Sequence, residues 1–186
     1  MKNPLKSIPL LILGLILTAS LSFAQSASSA AAFTSSTGTT TVTVTIGPQA
    51  GLKITTGSTP LTLTGSNFTG STALTYFVRT TTTGGGGSIT LEVTSDFACG
   101  GGPCVATPPN TGDALTYTCT VAGPGTPCTG TQTASTTATT NVATFATNVH
   151  TGPGGSTASI NWTLTNDPTY KTGTYNATVT FTISAS

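Results

Sequence analysis

The sequence predicts an all-β protein, an antiparallel sandwich of about eight or nine short strands, and three observations carry that expectation. Apolar residues recur at every second position in one segment after another. Gly, Pro and Asn clusters separate those segments, with 22 Gly and 11 Pro in 186 residues. No stretch spaces its apolar residues three and four apart, as a helix face requires. Strands of this kind bury one face each, so two sheets must pack inner face to inner face.

The elements follow in chain order. Val42, Val44 and Ile46 alternate with Thr41, Thr43 and Thr45, which predicts a first strand that Gly47-Pro48 ends. Leu52 and Ile54 precede a turn at Gly57, and Leu61 and Leu63 precede one at Gly65. Leu74, Tyr76 and Val78 form the next inner row, leaving Phe77 on the outer face. Ile89, Leu91 and Val93 follow the glycine run at Gly84 to Gly87. Leu115, Tyr117, Cys119 and Val121 alternate with threonines. After a low-complexity stretch at 131–140, Ala143, Phe145 and Val149 give a weaker segment. Ile160, Trp162 and Leu164 form another row, and Tyr175, Ala177, Val179, Phe181 and Ile183 form the last. The outward positions are largely Thr, whose branched Cβ suits a strand and whose hydroxyl suits water.

Charge is scarce: five Lys and Arg, four Asp and Glu, 5% of the chain. A nucleic-acid partner needs clustered bases to displace counterions, so that class is excluded. Acid–base and metal chemistry draw on side chains that are nearly absent, which argues against an enzyme and predicts no cofactor. Residues 1–24 read as a secretory signal peptide: Lys2 and Lys6, an apolar run from Leu10 to Leu17, then Ser22-Phe23-Ala24 before Gln25. The run falls short of the ~20 residues of a membrane span, and no later stretch is apolar enough to make one. Residues 25–40, almost all Ser, Ala, Thr and Gly, read as a flexible linker, and 41–186 as the sandwich.

Export places Cys99, Cys104, Cys119 and Cys128 where disulfides persist. Four cysteines allow three pairings; closeness in the chain favours Cys99 with Cys104 and Cys119 with Cys128. Neither spacing is that of a zinc knuckle and His150 stands alone, so no metal site is expected. Glu92, Asp96, Asp113 and Asp167 fall in separate contexts and suggest no converging carboxylate pair. Phe77, outward by alternation, and Tyr170, near a turn, are the candidates for stacking against a sugar ring.

The last segment, from Lys171 through Gly173-Thr174-Tyr175 to Ile183, resembles the closing strand of secreted bacterial immunoglobulin-like modules. It is similar to the ending of spore coat protein U type and related fimbrial-subunit families, over Gly173 to Ile183. That resemblance implies an immunoglobulin-like sandwich exported to the periplasm or bacterial cell surface, with subunits joined in fibres by strand donation. Val42, Val44 and Ile46, behind a linker, are the candidate donated strand; the plain alternative is that they begin a complete sandwich. The expected function is therefore a non-enzymatic surface, fibre or matrix protein that associates with itself or with other surface proteins. The alternative is a monomeric module for carbohydrate binding or adhesion.

Overall fold

The computed structural model describes residues 38–106 and 113–186. The expected leader, and the expected linker up to residue 37, lie outside them. The chain divides into a first unit ending at Thr43 and a second, Val44–Ser186, that holds every strand described. The fold is all-β: ten strands in two antiparallel sheets, with no helix among the described residues and hence none there able to cross a membrane.

One sheet joins β1 (Gln49–Ile54), β3 (Asn67–Arg79), β9 (Ser156–Thr165), β5 (Thr116–Val121) and β7 (Gln132–Thr133) in that order, with β2 (Thr62–Thr64) also paired to β3. The other runs β10 (Thr178–Ala185), β4 (Gly87–Ser95), β8 (Thr140–Phe145) and β6 (Thr126–Pro127). The alternating rows meet between the sheets as the period of two requires. Leu74, Tyr76, Val78, Ile160 and Trp162 face Ile89, Leu91, Val93 and Val142, all buried. Trp162 stacks tilted on Tyr117 with ring centroids 5.4 Å apart. Its indole nitrogen donates to Thr72 Oγ1 at 2.8 Å, which satisfies the one polar atom such a residue brings into a core. Gly70 is required where β3 passes beneath residues 59–61, because a Cβ there would fall 2.6 Å from the Pro60 carbonyl oxygen.

Two expectations are corrected, and a third element, found where expected, is irregular. Residues 41–46 form no strand: they belong to no sheet, and Val42, Val44 and Ile46 are 89%, 79% and 65% exposed. Their alternation describes a strand's face, but a strand also needs an edge to pair with, and β1 already occupies the β3 edge beyond Gly47-Pro48. The closing strand starts at Thr178 rather than Tyr175, because Tyr175 turns aside to cover Gly102. The weak segment around Ala143 is irregular for a physical reason. The β4–β8 register shifts between Ile89 and Thr90, so Val142 bulges and sits buried beside Ala143, which breaks strict alternation.

The Trp162–Thr72 bond supplies a test of this core. Thr72→Val leaves a buried indole N–H without a partner and should cost about 1 to 3 kcal/mol in urea unfolding, whereas Thr72→Ser should retain most of that stability.

Candidate functional site

A two-sheet sandwich has two flanks, and the described residues close only one of them. On the first flank, Cys119 of β5 is bonded to Cys128, the residue after β6, so the disulfide ties one sheet to the other. The Tyr117 hydroxyl reinforces that side, donating across the sheets to the Asn141 carbonyl at 2.8 Å. The Tyr76 hydroxyl donates to the carbonyl of Ala122, just past β5 in its own sheet, and accepts from Gly125 N, just before β6 of the other sheet, at 3.2 Å. Burial pushes the Tyr117 phenol above its ordinary pKa, a shift only partly offset by the hydrogen bond with Thr140.

The opposite flank lies between β10, the edge of one sheet, and β1 with β2, the edge of the other. No disulfide spans it. The inward row of β10, Val179, Phe181, Ile183 and Ala185, is only half-buried, although its β4 partners Leu91, Ile89 and Val93 are sealed. Across from it Leu52 is half-buried, and Ile54, also inward by register, is 39% exposed. The flank widens at one end into a cleft of about 930 Å³ lined by Leu61, Phe68, Leu164, Tyr170, Val179 and Phe181. Edge strands are usually guarded by charge or proline. Here β10 carries neither, and Lys53 is the single charge on β1.

The Cys99–Cys104 disulfide and the segment before β10 shape the wall of the cleft. Asp96 holds the disulfide loop, accepting from Phe97 N at 2.7 Å and from Val105 N and Ala106 N at 2.8 Å. The carboxylate also lies near both loop sulfurs, and those are joined to each other. The loop in turn receives the approach to β10. Lys171 N donates to the Gly101 carbonyl, and the Tyr175 ring lies where a Gly102 Cβ would stand.

The candidate residues read from the sequence are placed as follows. The cysteines pair 99 with 104 and 119 with 128. Phe77 is outward on β3 and 44% exposed, away from the cleft. Tyr170 lines the cleft, with its hydroxyl donating to Asp113 at 2.6 Å, so the two aromatics do not share one platform. Asp113 is 1% exposed, and Tyr170 lies in the field of both Asp113 and Asp167, a convergence that the sequence spacing did not show. His150 bridges Arg79 at the end of β3. The half-buried row of β10 is the feature that alternation alone misses, since alternation marks which face is inward but not whether anything covers it. Comparison with family models, curated proteins and solved structures returned no match.

Burial first, then the bond to Asp113 and the charges of Asp113 and Asp167, raise the Tyr170 pKa far above its usual value. A raised folded-state pKa gives stability that is complete below the unfolded value and is lost as pH climbs through the folded one. The urea midpoint should therefore fall on moving from about pH 9 to about pH 11, and the fall should be smaller in Tyr170→Phe.

Proposed function

We propose that this protein is a non-enzymatic, exported structural subunit of a cell surface, fibre or matrix, and that copies join by strand donation. Residues 41–46 of one copy would lie along β10 of the next, in the open flank. The observation that carries the reading is a pair of unmatched surfaces. Val42, Val44 and Ile46 are exposed and in no sheet, and the β10 row is half-uncovered.

The two also agree in period. From Val42 to Ile46 an extended chain spans about 13 Å, and so do Val179, Phe181 and Ile183 on β10. Each of the three donated side chains would contribute about 1.5 to 3 kcal/mol if fully buried. The unpaired backbone groups along the β10 edge would gain partners as well, which is the mode by which a peptide extends a sheet. Near-neutrality helps, because neither surface carries a charge that desolvation would penalise. The two disulfides suit an oxidising, extracytoplasmic setting.

Light scattering and negative-stain microscopy on chains beginning at Gln25 and at Gly47 test this. Oligomers or fibres should form from the first and be absent from the second. A double substitution, Val44→Lys with Ile46→Lys, should abolish assembly in the longer chain with its unfolding midpoint unchanged, since neither residue is in the core. A monomer at all concentrations from the Gln25 chain would overturn the reading.

A further inference from the structure

The outer face of the larger sheet carries a second arrangement, apart from the open flank; its Arg79 and His150 end adjoins Ile46. In the row of β3 that faces solvent, Phe77 lies between two glycines. Gly51 is its partner on β1, and Gly155 precedes β9 on the other side. A Cβ on Gly155 would come within 3.0 Å of Phe77 Cζ, so the ring lies down over the Gly155 backbone. Gly155 also has φ +74°, a conformation that disfavours side chains there. The ring thus lies against backbone, 44% exposed, with glycine rather than a side chain at its own rung on both neighbouring strands and Thr75 beside it along β3.

Polar groups with both charge and hydrogen-bonding capacity stand on the adjoining rungs. Two residues along β3, a step of about 6.6 Å, is Arg79. It pairs with Gln49 on one side and is bridged to His150 on the other. Two residues the other way is Thr75, which pairs with Lys53 on β1 and Thr157 on β9. Gln49, Lys53, Arg79, His150 and Thr157 are all exposed. The six strands of this sheet contain no Asp or Glu, yet they hold two of the chain's few bases, one on either side of the aromatic ring. Beyond Thr75 the face continues as uncharged rungs of small polar residues, Ser159 with Thr120 and then Ser71 with Asn161 and Thr118.

We infer that this face binds an acidic polysaccharide, a chain of sugars bearing carboxylates. A pyranose ring presents a flat apolar side that fits an open aromatic ring, and Phe77 supplies that platform. Arg79 can meet a carboxylate in two-point fashion and Lys53 as a point charge, with the unopposed positive sign on the face favouring an anionic over a neutral sugar. Gln49 and the hydroxyl rungs accept and donate to sugar hydroxyls. A plain structural role for Phe77, shielding two glycines, would not require bases on both adjoining rungs and no acid anywhere in the sheet.

Affinity electrophoresis of the purified protein through gels containing polygalacturonate, amylose or dextran sulfate tests the inference. Polygalacturonate should retard migration and amylose should not. Phe77→Ala should weaken the polygalacturonate interaction by about tenfold, Phe77→Tyr should leave it intact, and Lys53→Gln with Arg79→Gln should abolish the preference over amylose. All three positions point to solvent, so circular dichroism should be unchanged. No retardation by polygalacturonate overturns the inference, as does equal retardation by amylose. Equal binding to dextran sulfate that Phe77→Ala leaves untouched would reduce the face to a weak charge patch and overturn it too.

Discussion

An apolar core between two sheets has to be covered along both flanks, and this chain covers one with a covalent bond and leaves the other to edge strands. Cys119–Cys128 joins β5 to the end of β6 and fixes the distance between the sheets on that side. From that fixed flank the core is sealed inward, through Tyr117, Trp162, Val142 and Leu91, until it reaches β3 and β4. One strand further out, on β1 and β10, the same inward rows are half-exposed. Among the described residues the sheets are therefore tied on one side and leave a groove between their edges on the other.

Low charge gives that incompleteness its consequence. Most soluble domains carry about five times the charged fraction found here, and much of it serves to keep sheet edges apart. The outward threonines present hydroxyls to water and carry no charge. The few charges that remain are unevenly spent. Asp96 is committed to the disulfide loop and Asp113 to Tyr170, both on the cleft side, while Lys53 and Arg79 stand on the outer face with no acid opposite. The described residues therefore present a groove of mixed apolar and polar lining on one side and an outer face with two bases and an exposed aromatic on another.

Much of this was legible in the sequence. The inward rows of Leu74 to Val78, Ile89 to Val93, Leu115 to Val121 and Ile160 to Leu164 were set by alternation, because a slip of one residue would turn each row to water. The disulfide pairing followed the short spacings. What alternation could not supply was the partner of each strand. Val42, Val44 and Ile46 have the pattern of a strand but pair with no edge of their own chain, and Tyr175 has the parity of an inward residue but is drawn to the backbone at Gly102. The bulge at Val142 arises from a register shift against β4, a property of two strands together that neither one's sequence declares. Phe77 was visible as outward, whereas its neighbours Lys53 and Gln49 became visible only through the β1–β3 register.

Hydrogen exchange on the assembled and the dissociated protein addresses the central claim most directly. If residues 41–46 are donated into the open flank, amides in that segment and along β10 should gain protection together on assembly, with β5 and the Cys119–Cys128 flank unchanged. Assembly in which 41–46 stays fast-exchanging, or in which protection appears on another edge, would contradict the account.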